Sequence, residues 1–147
     1  MPLTSGAAFL ARFGTAYSSY EWIDSLDRDV QSGTSLIDEL SSKVHGMSFA
    51  LTCDFVKELG HLGFCKPDVH LKEIFTALDL CTAKGDRQVF KAIARVAENV
   101  GVAPYDVDRV FWLAGSGDFY LDGIQVGRHR GEFIKYAQRE LCDDLPG

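Results

Sequence analysis

The sequence predicts a mostly α-helical fold in which residues 1–147 form one compact multi-helix domain. Apolar residues recur at spacings of three and four, which is the period of a helix with one buried face. Glycine or proline interrupts this pattern about every fifteen residues, so the helices are short. Apolar residues make up 46% of the chain and charged residues 24%, as in globular proteins. No apolar run approaches the ~20 residues that a membrane-spanning helix needs.

The ends of the predicted helices carry residues that favour helix caps. Ser35 and Asp38 have the S-x-x-D spacing of a capping box, and Asp68 follows Pro67 as an expected N-cap. Gly60 and Gly101 occupy positions typical of the residue that ends a helix. The predicted helices span residues 5–18, 20–30, 35–45, 48–59, 68–80, 87–100, 104–114 and 130–142.

One segment departs from the helical pattern. Asp122-Gly123 stands between two short apolar runs, and this dipeptide is a strong signal for a two-residue turn between antiparallel strands. We therefore predict one small β-hairpin near residues 119–126.

The cysteines indicate the compartment. Cys53, Cys65, Cys81 and Cys142 are scattered and include no C-x-x-C pair. Cysteines within apolar stretches usually act as small buried hydrophobic residues, so we expect free thiols. The start of the chain lacks the basic and apolar regions of a secretory signal. These features predict a reducing compartment, cytoplasmic or associated with the nucleoid or nucleus, with no metal and no cofactor.

The charge limits how the protein can bind nucleic acid. The formal net charge is −6, which argues against a general nucleic-acid coat, because such proteins present a broad basic surface. Local contacts to phosphates through main-chain amides and a few lysines remain compatible with this charge.

The segment from Leu40 to Leu80 carries the most specific pattern. A turn that contains Gly46 is predicted between two short helices, and it directs amide N–H groups outward at a helix N-terminus. Such a turn can hold a phosphate without any side-chain charge. About twenty residues later, Asp68 is expected at the start of a helix, where its carboxylate can stabilise a cationic sugar or activate a nucleophile.

These residues resemble a known family. The chain reads Leu40-Ser-Ser-Lys-Val-His-Gly-Met-Ser-Phe-Ala-Leu-Thr52, then a helix, then Pro67-Asp-Val-His-Leu71. This order resembles the helix-hairpin-helix DNA glycosylases, a superfamily that includes endonuclease III and the 8-oxoguanine glycosylases. The resemblance covers residues of about 35–115, with the helix-hairpin-helix motif at about 35–60.

The resemblance implies a DNA-binding protein and assigns its site residues. Asp68 matches the position of the family's catalytic aspartate. The residues expected to contact nucleic acid are those of the hairpin and their neighbours: Gly46, Met47, Ser48, Phe49, Lys43, Lys66 and His70. DNA is the expected partner, held mainly through its backbone, and no membrane is involved.

Two departures from the family pattern bear on the chemistry. Ser48 replaces the second glycine of the hairpin, and Ala50 stands where bifunctional members carry a Schiff-base lysine. We therefore expect no lyase activity through that lysine. Base excision by monofunctional cleavage of the N-glycosidic bond stays open, because monofunctional members also lack the lysine. About forty residues precede the hairpin, so the cleft is reduced, supplied in part by a homodimer or a larger partner protein, or absent.

Alternatives stay open at each feature. The chain can equally be a catalytically inactive DNA-binding module on the same scaffold, or a helical protein-interaction domain that does not bind nucleic acid. Asp68 can be an N-cap alone, and His70 can make a structural hydrogen bond. The same choice, between nucleic-acid contact and ordinary packing or solvation, applies to Tyr17, Tyr20, Trp22 and the basic cluster at 127–131.

Overall fold

The fold was analysed in a computed structural model that describes residues 2–27, 29–119 and 123–143. The predicted mostly α-helical class is confirmed, and the described residues form eight α-helices and no β-strand. The helices are α1 (Pro2–Leu10), α2 (Ala16–Leu26), α3 (Val30–Lys43), α4 (Phe49–Glu58), α5 (Val69–Ala77), α6 (Asp86–Val100), α7 (Pro104–Ser116) and α8 (Arg130–Asp143). Among these residues, no helix is both long enough and apolar enough to cross a membrane.

The N-terminal helices differ from the prediction. The single helix predicted over 5–18 is wrong, because α1 ends at Leu10 and a 3₁₀ turn follows. Gly14 has a φ of 72°, a conformation that favours glycine and ends the helical run. Thr15 then caps α2, and its hydroxyl accepts a hydrogen bond from the Ser18 amide at 3.1 Å. The helix predicted over 20–30 is therefore shifted toward the N-terminus.

Helix α3 begins five residues before its predicted start. Asp29 is its N-cap, and the carboxylate accepts hydrogen bonds from the amides of Gln31 and Ser32, both at 2.9 Å. The capping box predicted at Ser35 is wrong, because this hydroxyl lies inside the helix and donates to the Gln31 carbonyl. Asp29 provides the earlier and geometrically complete cap.

The middle helices follow the prediction closely. Helices α4, α5 and α6 start and end within three residues of their predicted bounds, and Asp68 is the N-cap of α5 as expected. Helix α7 continues past its predicted end, through Gly115 to Ser116. Helix α7 approaches α5 closely at His70, and Gly115 allows this approach because it has no side chain.

The predicted hairpin is described in part. Residues 120–122, which include Asp122 of the predicted turn, lie outside the described residues. The flanks run antiparallel, with a bridge between Asp118 and Gln125 and a hydrogen bond of 2.8 Å from the Val126 amide to the Gly117 carbonyl. Among the residues that the structure describes, this pairing forms a single isolated bridge.

The core is organised around α6. Its inward face is fully buried and packs against α3, α4, α5 and α7. Helix α8 packs outside this core on α5 and α7, where Phe133 meets Phe111 with ring centroids 5.5 Å apart. The segment from α3 to α5 therefore has a rigid support on its inner side. The α6 residues in the core are Val89, Phe90, Ala92, Ile93 and Ala97.

Candidate nucleic-acid interface

The turn that joins α3 to α4, here called the α3–α4 turn, consists of Val44–Ser48. The Met47 amide donates to the Val44 carbonyl at 3.2 Å, which closes a four-residue turn. Gly46 occupies the third position of this turn with a φ of 88°. A positive φ at this position favours glycine. The sequence thus produces the turn locally, through one glycine at the position that requires it.

Ser48 shapes the exit from the turn. It has extended backbone angles (φ −74°, ψ 166°) and its hydroxyl accepts a hydrogen bond from the Leu51 amide at 3.3 Å. Its carbonyl also accepts the Thr52 amide at 2.9 Å. Ser48 therefore acts as an ordinary N-cap, and its backbone angles create no strain.

The turn presents free amides at the start of α4. Gly46 and Ser48 are exposed, and Ala50 is half-buried. Within the described part of the chain, the amides of Gly46, Ser48, Phe49 and Ala50 have no hydrogen-bond acceptor. The His45 amide is occupied, since it donates to the Ser5 hydroxyl at 2.9 Å. The positive end of the α4 dipole adds to the attraction for an anion at these amides.

The predicted residues of the turn divide by side-chain position. The Phe49 side chain is in the core, with its ring centroid 5.8 Å from that of Phe90, so this side chain cannot contact a ligand. Met47 is partly buried against the same core. Lys43 is exposed, and it forms no ion pair with any residue that the structure describes. Lys43 is therefore the side-chain cation available near the turn.

An apolar groove of about 500 Å³ adjoins the α3–α4 turn. Helix α1 forms one wall through Gly6 and Leu10, and α4 forms the other through Leu51 and Phe55. Leu51 and Phe55 are 47% and 42% exposed, so both keep apolar surface in contact with solvent. The groove therefore makes the surface beside the turn apolar rather than charged.

Asp68 is half-buried at the start of α5. Its Oδ1 accepts a hydrogen bond from the Leu71 amide at 3.0 Å, which is the geometry of an N-cap. Among the described residues, this is the single hydrogen bond to the carboxylate, so Oδ2 is not engaged. The cap function predicted for Asp68 is confirmed, and its carboxylate retains one oxygen for other contacts.

A buried ion pair holds the segment that leads to Asp68. Lys57 of α4 and Asp108 of α7 are separated by 2.8 Å, with side chains 3% and 2% exposed. The same Asp108 oxygen accepts the Lys66 amide at 2.7 Å, and the Lys66 ammonium lies 2.9 Å from Asp54. Two residues before Asp68, the chain is thus bound to both α4 and α7.

Burial and charge pairing have opposite effects on the pKa values of this ion pair. Burial raises the pKa of Asp108, while Lys57 and the Lys66 amide oppose the rise. Burial disfavours the charged amine of Lys57, but the facing Asp108 and Asp54 outweigh it and raise its pKa. Lys57 is therefore held as a cation by its two carboxylate neighbours.

His70 is placed against protein rather than on open surface. Its Nδ1 lies 3.3 Å from a guanidinium nitrogen of Arg130, and Gly115 lies directly beside its Cβ. Arg130 also pairs with Glu73 at 2.6 Å. Lys66 is likewise engaged by Asp54, so these two predicted nucleic-acid contacts already have protein partners.

The predicted site residues form two groups linked by α4. Lys43 and the amides of the turn lie at the start of this helix, and the segment with Lys66, Asp68 and His70 is bound to its later turns through Lys66. Ser48 precedes Asp54 by six residues, which is about 9 Å along the axis. Since Asp54 binds Lys66, the second group adjoins the same helix at that distance from the turn.

Other predicted candidates are mostly engaged in packing or pairing. The Trp22 ring packs on Phe13 with centroids 5.0 Å apart, and the Tyr20 hydroxyl donates to the Leu59 carbonyl. Tyr17 is 71% exposed. The four cysteines are free, as predicted, and burial raises the pKa of the Cys53 and Cys65 thiols.

The sequence analysis missed the Lys57–Asp108 pair, although a signal exists. Lys57 follows Phe49, Cys53 and Val56 on the apolar face of α4, where a core residue is expected. A charged residue at such a position requires a buried partner. Asp108 lies next to buried Val107 on α7 and satisfies that requirement.

Comparison with known proteins gives no relative to set beside this geometry. No protein-family model matches the chain, and no curated protein or solved structure matches it significantly.

Proposed function

We propose that this protein binds the phosphate backbone of DNA through the α3–α4 turn. The observation that carries the proposal is a set of four amides at the start of α4, those of Gly46, Ser48, Phe49 and Ala50, which have no acceptor among the described residues. A phosphate can accept several of these N–H groups while the helix dipole favours its charge. Lys43 adds a neighbouring cation.

This mode of binding suits an acidic protein. Amide donors carry no formal charge, so they bind phosphate without requiring a basic surface, and the net charge of −6 limits the affinity rather than preventing contact. Contacts to the backbone carry no sequence information. We therefore expect weak binding with little sequence preference and a clear dependence on salt.

Ser48→Asp tests the proposal. Aspartate is as good an N-cap as serine, so α4 is expected to remain stable, but a carboxylate now stands where the phosphate binds. Repulsion over a few ångströms should weaken binding to a short duplex about tenfold at low salt. Fluorescence anisotropy of a labelled duplex measures the affinity, and thermal unfolding measures the fold.

Ser48→Asn is the matched control, because asparagine caps equally well and adds no charge. It should keep the affinity of the unchanged protein within about twofold. Equal affinities for the two variants would place DNA binding away from this turn. Absence of any affinity at low salt would leave the helical protein-interaction domain as the better account.

Removal of a damaged base is a second candidate function. It is favoured by the free Oδ2 of the half-buried Asp68, which can support a cationic sugar or orient a water molecule. Ala50 stands in the place of the family lysine, so the reaction would be monofunctional hydrolysis of the N-glycosidic bond.

Asp68→Asn separates the cap from the chemistry. Asparagine still accepts the Leu71 amide, so we expect a change in unfolding free energy of only a few tenths of a kcal/mol. If Asp68 is catalytic, base release from duplexes that carry uracil, 8-oxoguanine or an alkylated base should be lost. No release by the unchanged protein, or equal release by Asp68→Asn, rules out base removal. Neither result bears on DNA binding, which the Ser48 variants test separately.

A further inference from the structure

The cations of the described residues fall into two groups according to their partners. Most form ion pairs with carboxylates, for example Arg12 with Glu39 and Arg130 with Glu73. A smaller group forms no ion pair with any described residue, and three of its members lie close together in the chain. These three are Lys84, Lys91 and Arg95.

Three cations lie on one face of α6. Arg87, Lys91 and Arg95 are spaced by four residues, so they follow one another along the helix at about 6 Å per step. We call these three residues the α6 stripe. All three are exposed, and Arg87 pairs with Asp38, so Lys91 and Arg95 supply its uncompensated charge.

A surface pocket of about 420 Å³ lies beside the stripe. Lys91 and Arg95 line it together with the hydroxyl-bearing Thr82 and the amide-bearing Gln88, and Asp79 is the single carboxylate in its wall. Arg95 donates to the Leu80 carbonyl at 2.6 Å, which fixes the guanidinium at the pocket wall. The lining thus combines polar and apolar residues and carries an excess of one positive charge.

The stripe begins where the α3–α4 turn ends. The Arg87 guanidinium lies 5.1 Å above the centroid of the Phe49 ring, and Phe49 is the first residue of α4. The first residue of the stripe therefore lies near the start of α4, and Lys91 and Arg95 follow one and two helical turns further along α6. A partner that extends over both the turn and the stripe must carry repeated negative charge.

We propose that a DNA strand held at the α3–α4 turn continues over the α6 stripe, where Lys91 and Arg95 each contact a backbone phosphate. The inference rests on the proposed function and extends it by giving the strand its direction across the protein. It also gives a role to two exposed cations that form no ion pair with any described residue in a chain of net charge −6. A flexible lysine and a fixed arginine suit contacts that do not read bases.

The double variant Lys91→Gln/Arg95→Gln tests this path. Each phosphate contact releases counterions, so its loss makes the negative slope of log affinity against log salt shallower by about 0.9. We expect the slope to become shallower by about 2 for the double variant and by about 1 for Lys91→Gln alone. The single variant also guards against a folding defect, because Lys91 makes no hydrogen bond to the described residues.

Lys135→Gln/Arg139→Gln is the matched control. It removes two exposed cations with the same spacing from α8, which packs on α5 and α7. This control should keep the slope of the unchanged protein, and equal slopes for the two double variants would overturn the stripe. If the stripe variants change the salt slope as expected but Ser48→Asp leaves the affinity unchanged, DNA contacts the stripe and is not anchored at the α3–α4 turn. Absence of DNA binding by the unchanged protein would overturn both.

Discussion

Lys57→Met is expected to lower the free energy of unfolding by about 3–5 kcal/mol. The substitution leaves the Asp108 carboxylate buried without its cation, with the Lys66 amide as its remaining donor. An uncompensated charge in a fully buried position is far more destabilising than the loss of a surface pair. Urea unfolding followed by circular dichroism measures the effect.

Two comparisons isolate the cause. Lys72→Met removes a lysine that pairs with Asp86 at a more accessible site, and should cost at most about 1 kcal/mol. Lys57→Met/Asp108→Asn removes the stranded charge and lets asparagine accept the Lys66 amide, so this double variant should be more stable than Lys57→Met alone. A double variant that is less stable than Lys57→Met would show that the pair does not hold this segment as described.

Gly115→Ala is expected to lower the free energy of unfolding by about 1–3 kcal/mol. A methyl group at this position would lie 2.5 Å from the Cβ of His70, which is closer than real side chains approach. Helices α5 and α7 would have to separate, because the contact is made by a Cβ atom rather than by the end of a flexible side chain. The change should also loosen the segment that carries Asp68.

Gly131→Ala is the control for the intrinsic preference of alanine in helices. Gly131 is an exposed residue in the first turn of α8, and a methyl group there would meet no atom within 4 Å. Alanine should therefore stabilise the protein by about 0.5–1 kcal/mol. Opposite signs for the two glycine substitutions are expected, and equal signs would mean that the α5–α7 contact is not tight.

Much of the fold could be predicted because local signals determine it. The apolar period of α6, the cap at Asp68 and the single glycine of the α3–α4 turn are all properties of neighbouring residues. The break between α1 and α2 was missed because Phe9, Phe13 and Tyr17 keep helical spacing through it, although Gly14 and the Thr15 cap mark it locally. Tertiary packing stabilises the break, because the Phe13 ring packs against Trp22 of the next helix.

The candidate site shows the same limit. The turn and its exposed amides could be predicted from a stretch of five residues. Lys57 and Asp108 are 51 residues apart, and no local pattern pairs them. The engagement of His70 by Arg130, across 60 residues, was beyond sequence reasoning for the same reason. Contacts of this range depend on how helices pack, which a spacing pattern does not contain.

Chemical-shift mapping of the main-chain amides during titration with a short DNA duplex tests the central claim most directly. We expect the largest and salt-sensitive shifts at the amide signals of Gly46, Ser48, Phe49 and Ala50, followed by those near Lys91 and Arg95. Unchanged signals at all of residues 46–50, while the protein binds the duplex or fails to bind it at low salt, would contradict the account.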